Sequence, residues 1–169
     1  METLLRLFPS TLSPDVHVRR ASEQELHQLE SQPGMLAASF QLVASPEVDT
    51  SIRQAAAIYV KNRISRTWDA SLARGFSDAP SAVSDQDKEV VRSGLLPTIA
   101  SLPPTLRVHI ASAMYSIVRC DFPQAWPTLT EEIVKVLSSG EQLQIFAGVR
   151  ALLELVRAFR FDCTDSKLE

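Results

Sequence analysis

VDTSIRQAAAIYVKNRISRTW, residues 48–68, reads as one helix of about five turns. Ile52, Ala55, Ala56, Tyr59 and Ile64 recur at helical spacing and form a small apolar face. Alanine on that face lets neighbouring helices come close. Arg53, Lys61, Asn62, Arg63 and Arg66 are expected on the opposite face, cations with no intervening acid. Such a row is offered to solvent, to the protein itself or to a partner.

The segments around this helix carry the same signature. Residues 1–9 form a short apolar helix built on Leu4, Leu5, Leu7 and Phe8 and ending at Pro9. Ser13 and Pro14 then read as N-cap and first residue of a second helix, because a proline at that position loses no hydrogen bond. Val18, Ala21, Leu26 and Leu29 are its expected inner residues. MLAASFQLVAS from Met35 is a third helix, apolar almost all round, stopping at Ser45-Pro46. After Trp68 periodicity is lost, and residues 69–83 read as a surface loop. Ser84-Asp85 opens a fifth helix with Val90, Val91, Leu95, Ile99 and Leu102 inside and a kink or break expected at Pro97. Pro103-Pro104 opens a sixth, with Leu106, Ile110, Ala113, Met114, Ile117 and Val118 inward. After the turn 121–127 comes a seventh, on Leu129, Ile133, Val134 and Leu137. The eighth starts at Glu141 and carries Leu143, Phe146, Ala147, Leu152, Leu153, Val156 and Phe159. It is apolar on more than one side, as in a helix buried between neighbours.

Eight helices in four antiparallel pairs follow, the second of each pair starting near 14, 48, 104 and 141. The spacing is that of helical-pair solenoids, whose repeats run to about 40 residues. The fold class is therefore all-α: a right-handed solenoid of about four HEAT-like helix pairs, taken as one domain over residues 1–169.

Composition excludes several function classes. A net charge of −3 argues against bulk nucleic-acid binding, which needs a basic footprint. No apolar run approaches the ~20 residues of a membrane span, and no secretory signal is evident at the N-terminus. His17, His27 and His109 are far apart, and Cys120 and Cys163 stand at no ligand spacing, so no metal site is expected. The thiols read as reduced and structural. No nucleophile motif and no phosphate-binding glycine loop occurs, so neither catalysis nor a cofactor is expected.

SPDVHVRRASEQELHQLESQPG, IRQAAAIYVKNRISRTW, SDQDKEVVRSGLLPTIASLPPTLR, DFPQAWPTL and IFAGVRALLELVRAFR together resemble the N-terminal region of the importin-β (karyopherin-β) superfamily. AAAIYVKNRISRTW and DFPQAWP look most similar to the importin-seven and importin-eight branch and its fungal counterparts. The resemblance implies a fragment of a longer HEAT-repeat superhelix, with the second helix of each pair on its concave side. It implies a nuclear transport receptor, an import receptor rather than an exportin, moving between nucleus and cytoplasm. Its N-terminal repeats would bind the small GTPase Ran in its GTP form. Cargo and nucleoporins would engage later repeats.

On that reading Lys61 and Asn62 are the candidate partner contacts, with Arg53 and Arg66 about a turn or more away. Asp121, Phe122, Trp126 and Pro127 form a second cluster. They are read as structural, the aromatics plugging the junction of the third and fourth repeats and Asp121 capping the following turn. Two other classes compete. A generic helical scaffold would bind a peptide or helix on the same concave face. A glycosylase on a HEAT-like scaffold would need a strongly basic stripe and a carboxylate in an aromatic pocket, and the sequence offers neither.

Overall fold

The computed structural model describes residues 1–69 and 82–160. These residues form α1 (Glu2–Ser10), α2 (Val16–Leu29), α3 (Met35–Ala44), α4 (Thr50–Thr67), α5 (Asp85–Ser101), α6 (Pro104–Asp121), α7 (Leu129–Leu137) and α8 (Gln142–Phe159), with no strand among them. Most of the expected loop, residues 70–81, lies outside the described residues, as do Cys163 and Phe161. Its last residue, Val83, is buried, and its N–H donates to the Thr67 carbonyl at 3.1 Å.

The helix starts follow from capping chemistry. α2 is capped by Asp15, whose carboxylate accepts from the His17 N–H at 2.8 Å. Ser13 is displaced from that role because its hydroxyl accepts from the Asp15 N–H at 3.2 Å. Asp49 caps α4 through the Ser51 N–H at 2.8 Å, and Ser84 caps α5 through the Asp87 N–H at 3.2 Å. α3 starts after Gly34, which has no side chain to cap with. The buried Asp87 supplies that cap from a distance, accepting from the N–H groups of Gly34 and Ala37 at 3.1 Å each. One carboxylate thus joins the starts of α3 and α5. Helix α5 runs unbroken through Pro97. The proline is exposed, where the main-chain hydrogen bond it cannot donate is least costly.

α4, α6 and α8 lie side by side in one layer, and α3 packs on both α4 and α5 in the other. Helix α4 meets α1, α3 and α6, and its Ala55, Ala56, Ala57, Val60 and Ile64 are buried. Three consecutive buried alanines mean that it is packed on more than one side.

Helices α2 and α8 turn a different face to the core than their apolar pattern predicts, and α7 departs from it at one residue. In α2 Val18 and Ala21 are exposed, and Ser22, Leu26 and the following Glu30 are buried at four-residue steps. In α7 Val134 is exposed. In α8 the buried residues are Ala147, Gly148, Ala151, Glu154 and Ala158, whereas Leu143, Phe146, Leu152, Leu153 and Val156 face outward. Close approach decides this orientation. A Cβ on Gly148 would stand 2.8–2.9 Å from Leu137 and Val136 of α7, so only a small-residue stripe lets α7 and α8 meet. Glu154 is fully buried on that stripe between Arg150 at 2.7 Å and Arg157 at 3.1 Å. The expected burial of α8 between neighbours on both sides is therefore corrected to burial on one side.

Candidate functional site

The polar residues of α4 divide into two sets. Arg53 and Arg63 are buried, on the stripe that also holds Ala56, Val60 and Thr67. Arg53 Nε donates to the Val43 carbonyl at 2.9 Å, in the last turn of α3. Arg63 Nη2 donates to the carbonyl of Glu30, the residue that ends α2, at 3.0 Å, and Nη1 bonds the Thr67 hydroxyl. Both cations thus satisfy carbonyls that the preceding helices leave open at their C-terminal ends. The expectation of Arg53 as a partner contact is corrected: its guanidinium is used inside the fold. The signal was in the spacing, since positions 53, 56, 60, 63 and 67 share one side of a helix.

The second set faces out. Lys61 and Asn62 are half-exposed and Arg66 is exposed, its Nε donating to the Asn62 carbonyl at 3.2 Å. Lys61 stands near His109 of α6, whose pKa is lowered by partial burial and then by the lysine charge. Ser65 and Ser116 hydroxyls approach to 3.4 Å, so the surface continues from α4 onto α6. On α6 the Tyr115 ring has the guanidinium of Arg119 at 6.0 Å and that of Arg157 from α8 at 5.9 Å. This extension is absent from the sequence reading. The i,i+4 pair of Tyr115 and Arg119 is visible in sequence, but the arrival of Arg157 from α8 is not.

On the other side of α4, α2 stands off and leaves a cleft of about 380 Å³. Phe8, Leu26, Ala55 and Ile58 supply apolar wall, and Glu23, His27, Glu30, Tyr59, Asn62 and Arg66 line the rest. The Tyr59 ring sits edge-on to Phe8 at 5.6 Å between centroids. Its hydroxyl is buried and makes no hydrogen bond of normal geometry. Burial first, and then the charge of Glu30, push the phenol pKa well up.

The 121–127 cluster is a joint between helices. Asp121 is buried; its carboxylate accepts from Trp68 Nε1 at 3.0 Å and from Arg92 Nη1 at 2.9 Å. It does not cap the following turn. That turn is held by its main-chain carbonyl, which accepts from the N–H groups of Ala125 and Trp126. Trp126 is buried, with Nε1 donating to Glu132 at 3.2 Å, and Phe122 meets Phe159 edge-on at 6.0 Å. Pro127 is exposed.

Among the described residues no three His, Cys, Asp or Glu side chains gather as metal ligands. The Cys120 thiol has its pKa raised, by burial and then by Asp69 and Asp121, so it is held as the thiol rather than the nucleophilic thiolate. No described helix is long and apolar enough to cross a membrane. The surface that remains is suited to recognition.

The importin-beta N-terminal domain family matches residues 22–101. An importin beta-like SAD2 homologue of Arabidopsis thaliana is 29% identical over 94% of this chain and 15% of its own length. Exportin-2 of Oreochromis niloticus is 30% identical over 99% of this chain and 17% of its own. Importin-7 and importin-8 relatives match as well. Among solved structures, the exportin Cse1 in its cargo-free, cytoplasmic state has a TM-score of 0.83 at 27% identity, over 98% of this chain and 17% of that one. Kap95p, in a structure concerned with how its binding switches the loops of RanGDP to the GTP-bound conformation, has a TM-score of 0.74 at 23% identity, over 94% of this chain and 19% of that one. The chain thus spans about a sixth of the length of these relatives, which are importins and exportins and not enzymes. The eight helices form a HEAT-repeat solenoid of this kind, and over nearly its whole length the chain is similar to the amino-terminal region of importin-β superfamily receptors.

Proposed function

We propose that this chain is the GTPase-binding, amino-terminal part of a nuclear transport receptor that moves between nucleus and cytoplasm. Ran in its GTP form docks on the exposed face of α4, with Lys61, Asn62 and Arg66 as contacts, and controls cargo loading and release. Cargo and nucleoporins engage repeats beyond this region. The observation that carries the reading is the separation of the α4 polar residues. Arg53 and Arg63 are consumed by the fold, while Lys61, Asn62 and Arg66 are left outward on a surface that α6 continues. Lysine supplies a flexible point charge to an acidic surface, and asparagine both donates to and accepts from a partner's backbone. Kap95p, of the same fold, is described as acting on the switch loops of RanGDP. Both importins and exportins are among the relatives, so the proposal concerns recognition of the GTPase and not the direction of transport.

A receptor of this kind works by differential affinity for two states of its partner. The test is a binding titration with Ran loaded with a non-hydrolysable GTP analogue and with GDP. The GTP form is expected to bind at least about tenfold tighter. Lys61→Glu is expected to weaken it several-fold and to reduce its salt dependence, with an unchanged melt. Equal binding of both forms, or binding of neither, overturns the reading.

A further inference from the structure

We propose that the cleft between α2 and α4 is a socket for one arginine or lysine side chain of a protein partner. The inference rests on the reading of the α4 surface as the partner-binding face and goes beyond it by naming what enters.

α4 packs along α6 but not along α2. The solvent-open cleft of about 380 Å³ has room for one long side chain. Ala55, small where a leucine would fill the space, helps to keep it open. Phe8, Leu26, Ala55 and Ile58 make part of the wall apolar, and a long aliphatic stem fits against them. The inner end is polar. Glu30 is buried there, its carboxylate 3.1 Å from His27 Nδ1. The Tyr59 hydroxyl beside it is buried, makes no hydrogen bond of normal geometry and feels the negative charge of the Glu30 carboxylate.

The charged and titratable groups on the cleft are Glu23, Glu30, His27, Tyr59 and Arg66. Glu30 and the phenol oxygen both accept hydrogen bonds, which matches an ammonium or guanidinium head with three to five donors and no acceptor. An aliphatic occupant would leave these acceptors desolvated. An acidic one would face two carboxylates. Arg66 is tied back to the Asn62 carbonyl. It stands beside Asn62 to meet a backbone carbonyl or carboxylate flanking the inserted residue.

The test uses two probes. The first is N-acetyl-arginine amide, followed by amide shifts, with the citrulline analogue as a neutral control of the same shape. Saturable shifts confined to Leu26, Ile58, Asn62 and their neighbours are expected for arginine only. The second is Ran loaded with the GTP analogue. Ile58→Trp fills the cleft and is expected to abolish the arginine shifts and lower Ran affinity about tenfold with an unchanged melt. Glu23→Lys, an exposed change that repels the same head group, is expected to act in the same direction. Absence of arginine shifts, or wild-type Ran binding by both variants, overturns the socket. If wild type ignores Ran but shows arginine shifts that Ile58→Trp removes, the socket stands and the Ran reading falls.

Discussion

The indole Nε1 of Trp68, which ends α4, donates to the carboxylate of Asp121, the last residue of α6, at 3.0 Å. Arg92 of α5 takes the other carboxylate oxygen at 2.9 Å. Three helices from two successive pairs therefore meet on one buried acid. Its removal leaves a buried indole N–H without its acceptor and leaves Arg92 only its more exposed partner, Glu89 at 3.1 Å. Asp121→Ala is expected to cost about 3–5 kcal/mol, the range for breaking one side of a buried pair. Urea unfolding measures it, and a loss under about 1 kcal/mol would show that Arg92 and Trp68 find other partners.

Trp126 tests the other half of the joint. Its ring is buried against the core and its Nε1 reaches Glu132. Trp126→Ala is expected to cost about 3–5 kcal/mol through lost area and the cavity left behind. A melt lowered by less than ~2 °C would contradict burial of that size.

Arg53 separates a fold role from a partner role. Loss of its guanidinium strands the Val43 carbonyl at the end of α3. Arg53→Ala is expected to lose about 1–3 kcal/mol in urea unfolding, the cost of a buried group left unpaired. Ran binding, measured where the variant is fully folded, is expected to stay as in wild type. The reverse pattern, a normal melt with weakened binding, would return Arg53 to the partner surface.

These residues show where sequence sufficed. Helix number and type are legible because each helix carries an apolar stripe and a stop, as α6 does between Pro103 and Phe122, while the start of α2 lies two residues beyond the one expected. The face that each helix buries is less so. In α8 the large residues Leu152, Leu153 and Val156 outweigh Ala147, Gly148 and Ala151 by hydrophobicity, yet the small ones go inside, because close approach to α7 is a property of two helices together. Arg63 reads as a surface cation until the α2 terminus that it caps is placed beside it. The α2–α4 cleft and the Tyr115–Arg157 stack depend on helix separations that no single segment encodes.

Tyr59 carries a pH dependence of definite sign. Burial raises its folded pKa above the ordinary 10.0, so the folded state holds this proton more tightly than the unfolded state does. Its contribution is intact below that ordinary value and is lost as pH rises beyond it, once the unfolded phenol ionises. Tyr59→Phe gives up no hydrogen bond of normal geometry. At about pH 7 the variant is expected to match wild type within ~0.5 kcal/mol. Above about pH 10 it is expected to be the more stable of the two in urea. Parallel stability curves for the two proteins through that range would refute the assignment.

The outer face of α8 gives a prediction about association. Val149, Leu152, Leu153 and Val156 are each 44–57% exposed, Leu143 is 59% exposed and Val134 of α7 61%. Val149, Leu152, Leu153 and Val156 recur at three- and four-residue steps, so they share one side of α8 as an exposed apolar strip. In a solenoid such a strip is where a further helix pair would stack, because one pair alone cannot bury its apolar side. In this chain by itself a second copy can cover it, α8 against α8. Light scattering is expected to show a mass that rises with concentration, and the double change Val149→Lys and Leu153→Lys to hold the particle monomeric. The melt of that variant should stay close to wild type at low concentration, since both side chains are already half in water. A wild-type particle that stays monomeric up to the solubility limit would mean that the strip is too small or too curved for two copies to close over it.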